Sequence, residues 1–117
     1  MEKKDLKPAG VFKYFEEICQ VPRPSKKEEK MIAYLKAFGA KHNLETKVDE
    51  AGNVLIKKPT TPGKENLQTV VLQSHIDMVC EKNNDVQHDF LTDPIETEID
   101  GEWLKAKGTT LGADNGI

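Results

Sequence analysis

Thr69-Val70-Val71-Leu72-Gln73-Ser74-His75-Ile76-Asp77 is the stretch whose reading decides the fold. Val70, Val71 and Leu72 form a continuous apolar run, the pattern of a strand covered on both faces by helices. The run predicts an inner strand over Thr69–Ser74. Its character changes at the end, where Ser74, His75 and Asp77 arrive. Strand side chains alternate between faces, so His75 and Asp77 are expected on the same one. In open α/β sheets, ligands collect at the carboxyl ends of strands. An imidazole and a carboxylate there could share a metal, or the carboxylate could hold the imidazole in the tautomer that binds one. A polar strand end with a hydrogen-bonded histidine is the plainer reading, and the tripeptide alone favours it.

Working outward, the 117 residues have room for one domain. Hydrophobic residues make up 37% and charged residues 32%, which predicts a modest core under a well-solvated surface. The net charge of −3 and the lack of a basic patch argue against nucleic acid as a partner. Cys19 and Cys80 are the only cysteines. They make neither a disulfide scaffold nor a C-x-x-C pair, and reduced thiols in a cytoplasmic protein are expected. Met1-Glu2-Lys3-Lys4-Asp5 has no apolar segment behind it that would make a signal peptide. No apolar run approaches a membrane-spanning length, so no membrane partner is expected.

Upstream, Val11, Phe12, Phe15, Ile18 and Cys19 recur at helical spacing and predict an amphipathic helix from Pro8 to Cys19. Val21-Pro22-Arg23-Pro24 stops it. Ser25-Lys26-Lys27-Glu28 has the form of a capping box, with Ser25 as N-cap of a second helix that buries Met31, Leu35 and Phe38. Leu44 to Val48 and Val54 to Ile56 read as paired strands around Gly52-Asn53. Downstream, Glu81 to Asp93 is polar and predicts a long irregular loop. Glu96 to Ala106 predicts a hairpin turning at Asp100-Gly101 in a type I′ turn, with Trp103 and Leu104 on its apolar face. The expected class is therefore α/β, a mixed sheet flanked by helices.

Gly108-Thr109-Thr110-Leu111-Gly112-Ala113-Asp114-Asn115-Gly116 frames one carboxylate with three glycines. Glycine permits positive φ and close backbone approach, so this loop aims Asp114. An ordinary glycine turn is the alternative. A phosphate loop is a poor one, because no lysine follows the glycines.

H-x-D at a strand end together with G-A-D-N-G resembles the dinuclear-zinc aminoacylase/carnosinase-type peptidases, and within them the aminoacyl-histidine (Xaa-His) dipeptidases, or peptidase D. The resemblance is carried by V-V-L-Q-S-H-I-D-M-V-C-E-K-N, H-D-F-L-T-D-P-I, K-G-T-T-L-G-A-D-N-G-I and the opening I-C-Q-V-P-R-P-S-K-K-E-E-K, which together span nearly the whole chain. It implies that His75 is a ligand of one zinc and that Asp77 is the catalytic-site carboxylate fixing the His75 ring. Asp114 is implied to bridge two zincs, with Asn115 following through a cis peptide. Such a metal pair activates a water, so hydrolysis of a dipeptide needs no protein nucleophile. The family continues past this motif with a Glu-Glu pair, a further carboxylate, a final histidine and a lid domain that helps dimerise. Residues 1–117 are therefore expected to be the amino-terminal part of one catalytic domain, inactive alone, with a homodimer expected of the complete enzyme.

Glu81, Glu96, Glu98 and Glu102 match no missing ligand or base. His42 and His88 read as structural or surface residues. Cys80 near His75 invites a cysteine-hydrolase reading, but its strand parity is opposite and no helix terminus lowers its pKa. Three classes stay in play: a zinc dipeptidase, an N-acyl amino acid deacylase of related type, and a non-catalytic metal-binding or interaction fragment. A substrate panel separates the first two, and a downstream Glu-Glu pair separates both from the third.

Overall fold

A short 3-10 helix at Lys3–Asp5, two α-helices and two β-hairpins make up the regular structure of the described residues, 1–112 and 117. The elements are α1 (Ala9–Cys19), α2 (Glu29–Lys41), β1 (Glu45–Val48), β2 (Val54–Lys57), β3 (Thr97–Asp100) and β4 (Trp103–Ala106), in this computed structural model. They fall into two units, one of Met1–Met31 with Ser74–Ile117 and one of Ile32–Gln73. The class is α/β.

In the first unit, α1 starts where its sequence predicts. Pro8 is the N-cap in extended conformation, and its carbonyl accepts the first helical bond from Phe12 N–H at 3.3 Å. The apolar stripe buries Ile18 and Cys19. Cys19, Met78 and Ile95 form the core, with Phe15, Cys80, Phe90, Ala106 and Leu111 packed against them. Ile95 N–H donates to Cys19 O at 2.8 Å, which ties the segment before β3 to the end of α1. Burial, with a smaller contribution from Glu16, pushes the Cys19 thiol up to about 11, so it packs as an inert apolar group.

β3 and β4 pair antiparallel with Ile99 opposite Leu104 and Asp100 opposite Trp103. The turn is thus Gly101-Glu102, one residue later than the sequence suggests. Positive φ is needed at Gly101 alone (+62°), the pattern of a type II′ rather than a type I′ turn. The shift also corrects the apolar face. Thr97, Ile99, Leu104 and Ala106 lie on the covered side, and Trp103 is exposed. Residues 81–93 are irregular as expected. The first of them pair with the glycine segment, Asn83 N–H donating to Gly108 O at 2.8 Å and Thr110 N–H to Glu81 O at 2.9 Å.

In the second unit, β1 and β2 pair antiparallel with Thr46 opposite Ile56. Asp49 builds the turn between them. Its carboxylate accepts from the backbone N–H of Ala51 and Asn53 and from Asn53 Nδ2, the self-bonding that favours aspartate in turns. α2 ends at Lys41, followed by Asn43 at φ +54° and a Leu44 N–H bond to Gly39 O at 2.8 Å. Asparagine tolerates that left-handed cap better than most residues.

Two further expectations fail. Thr69–Ser74 forms no strand: none of these residues is paired, and Val70, Val71 and Leu72 are 79%, 78% and 92% exposed. A buried inner strand needs a ladder on each edge and cover on each face, and among the described residues nothing supplies either. The sheets are two separate hairpins instead. Ser25 does not cap α2, which begins at Glu29. Glu28 Oε1 accepts from Lys26 N–H at 2.7 Å, Lys26 takes φ +70°, and the Ser25 side chain is engaged elsewhere.

Candidate functional site

The site rests on one buried cation. Arg23 follows the proline stop of α1 and is 1% exposed. Its Nη1 donates to Ile18 O at 2.8 Å and Val21 O at 3.2 Å, and its Nη2 to Gly112 O at 3.2 Å. One planar guanidinium thus binds the end of α1 to the glycine segment, a task suited to its fixed fork of donors. Its own backbone carbonyl accepts from Met78 N–H at 3.0 Å, and Ser25 N–H donates to Met78 O at 3.3 Å. Pro24 and Met78 are therefore a parallel β-bridge. This short ladder carries Asp77 on one side and buries Met78 on the other.

Asp77 is held by both oxygens. Ser25 Oγ donates to Oδ2 at 2.5 Å, and His75 Nδ1 lies 3.0 Å from Oδ1. The Ser25 hydroxyl first, and the His75 ring second, hold the Asp77 carboxyl below the usual carboxylate range. An ionised carboxylate can only accept, so Nδ1 is the nitrogen that carries the proton. The lone pair of His75 is left on Nε2, on a ring that is 65% exposed. This is the arrangement by which a carboxylate prepares a histidine for a metal. His75 and Asp77 lie on the same side, as their spacing predicts.

The glycine segment reaches the same ladder. A Cβ on Gly112 would sit 3.2 Å from Met78 Cβ and 3.7 Å from Met78 Cα, so glycine is what lets the two backbones approach. Thr110 Oγ1 donates to Val79 O at 2.7 Å and adds a second tie. Asp114 and Asn115 lie outside the described residues. Among the described residues, no group of three His, Cys, Asp or Glu side chains could hold a metal ion. His75 and its carboxylate would suit a metal ligand and its orienting partner, one ligand of the several that a metal site needs.

The other candidates are placed elsewhere in the fold. His88 stacks on Phe90 and His42 on Phe38, each with ring centroids 4.4 Å apart. Burial raises the Cys80 thiol pKa, against a nucleophilic thiolate. Glu98 pairs across the hairpin with Lys105, and Glu102 lies in the β3–β4 turn. Ser25 and Arg23 are the residues that sequence reasoning missed. Ser25 is 52 positions from Asp77, and its local pattern imitates a helix cap. A charged residue between two prolines just after an apolar helix end was the available signal for Arg23.

The chain is 50% identical to the cytosol non-specific dipeptidase of Escherichia coli K12 over 116 residues, 99% of this chain. It superposes on the crystal structure of aminoacylhistidine dipeptidase from Vibrio alginolyticus with a TM-score of 0.92, at 52% identity over 99% of this chain. By sequence and by fold, the chain is similar to part of these dipeptidases. It spans 24% of the length of each. No family model matches the sequence. No helix among the described residues is long and apolar enough to cross a membrane.

Proposed function

We propose that residues 1–117 are the amino-terminal part of the catalytic domain of a zinc-dependent dipeptidase acting on dipeptides, Xaa-His dipeptides among them. The observation that carries the reading is the 3.0 Å contact of His75 Nδ1 with Asp77 Oδ1, which leaves Nε2 as the metal-facing nitrogen. His75 is the ligand of one zinc, and Asp77 fixes its ring. Asp114, two residues after the Gly112 that packs on Met78, would supply a carboxylate to the metals. A bound zinc pair supplies an activated water and polarises the scissile carbonyl. This chain's own part is to hold the imidazole in one tautomer and one orientation.

The names of the relatives support the substrate class, and the cytosolic relative supports a cytoplasmic location. A homodimer belongs to the same reading of the longer protein.

Titrating the chain with zinc, followed on the His75 ring signals by NMR, tests the assignment. The ring is expected to respond, His75→Ala to lose that binding, and Asp77→Asn to weaken it on the order of tenfold. Zinc binding that survives undiminished in His75→Ala would refute it.

A further inference from the structure

We propose that Ser25 is a positioning residue for His75, acting through Asp77; the inference rests on the metal reading above. A carboxylate that orients a ring must itself be fixed. Asp77 has two oxygens, and His75 occupies one. The other accepts the Ser25 hydroxyl, so rotation of the carboxylate about its last bond would break that contact. Ser25 is in turn fixed through its backbone, with its N–H on Met78 O at 3.3 Å and Met78 N–H on Arg23 O at 3.0 Å. Arg23 is buried and bonded to three backbone carbonyls. The chain of contacts therefore runs from a rigid buried cation, through a two-residue ladder, to a hydroxyl, a carboxylate and an imidazole. The hydroxyl is the one side-chain link that is neither charged nor, on the metal reading, a zinc ligand. Its removal is expected to loosen the ring without unmaking the ladder, whose Ser25 bond is made by the backbone.

Threonine and valine have the same shape and differ by the hydroxyl, so Ser25→Thr and Ser25→Val isolate its effect. The first readout needs no metal: long-range proton–nitrogen NMR of the His75 ring at pH 8. The wild-type chain and Ser25→Thr are expected to show a protonated Nδ1 and a bare Nε2. Ser25→Val is expected to show the two nitrogens averaged between tautomers. The second readout is zinc alone, titrated into the same samples, with binding weakened on the order of tenfold in Ser25→Val and restored in Ser25→Thr. A packing role for the side chain would make the two variants alike. If Ser25→Val keeps the wild-type tautomer and zinc response, the inference about Ser25 is overturned and the metal reading stands. If zinc leaves His75 untouched in the wild-type chain, the metal reading is overturned, and with it the inference.

Discussion

Val70-Val71-Leu72 and His75-Ile76-Asp77-Met78 read in the sequence as one strand and its tip, yet they end in opposite conditions. The apolar run is exposed and unpaired, whereas the tip beyond it is bonded to Arg23 and Ser25 through Met78. Hydrophobicity alone would have ordered them the other way. Backbone partners decide the outcome: Pro22-Arg23-Pro24 brings a segment alongside Met78, and no described segment lies alongside Val70 to Leu72. A strand is a relation between segments, and an apolar pattern states only that cover is wanted.

The largest way to break this comparison is to remove the anchor of the ordered half. Arg23→Met leaves the carbonyls of Ile18, Val21 and Gly112 without their charged donor. The expected loss is about 4 kcal/mol of unfolding free energy, from urea denaturation, since each buried orphaned group costs on the order of 1–3 kcal/mol. A loss under about 1 kcal/mol would show that Arg23 holds nothing together.

A matched pair of truncations sharpens it. Ile95→Ala, in the core, is expected to destabilise by about 3 kcal/mol. Leu72→Ala, at 92% exposure, is expected to change stability by less than about 0.5 kcal/mol. Similar losses at the two positions would mean that the apolar run is packed in solution.

The smallest effect concerns acid. Ser25 first and His75 second depress the Asp77 pKa. A depressed acid adds stability above its unfolded pKa of about 3.9, and that contribution is lost as the pH falls through the folded value. Urea midpoints of the wild-type chain should therefore fall further between pH 6 and pH 3 than those of Asp77→Asn. The difference is expected to be small because Asp77 is partly solvated. Parallel curves would mean that the carboxylate is free in solution.

Legibility in the sequence followed the range of the interactions. α1 was readable from the 3.6-residue spacing of Phe12, Phe15 and Cys19, and β1–β2 from Gly52 and Asn53, because those signals are local. The β3–β4 turn was misplaced by one residue because Gly101 serves the first turn position as readily as the second. Ser25 was misread because a helix cap and a long-range hydroxyl donor look alike in a short window. His75 and Asp77 were readable as a pair from their spacing, and the contact between them is made. The strand expected over Thr69–Ser74 was not decidable locally, because an apolar run does not say whether partner segments lie beside it.

Under the proposed function, this chain would hold one prepared ligand, His75, of a zinc-peptidase site that needs more. Each catalytic zinc wants about three protein ligands, and general-base assistance is worth on the order of a hundredfold or more. Incubation of the purified chain with zinc and an Xaa-His dipeptide measures this directly. The account predicts no free histidine above the rate in buffer with zinc alone. Histidine released at a rate that vanishes in His75→Ala would contradict it, by showing that the site is complete within these residues.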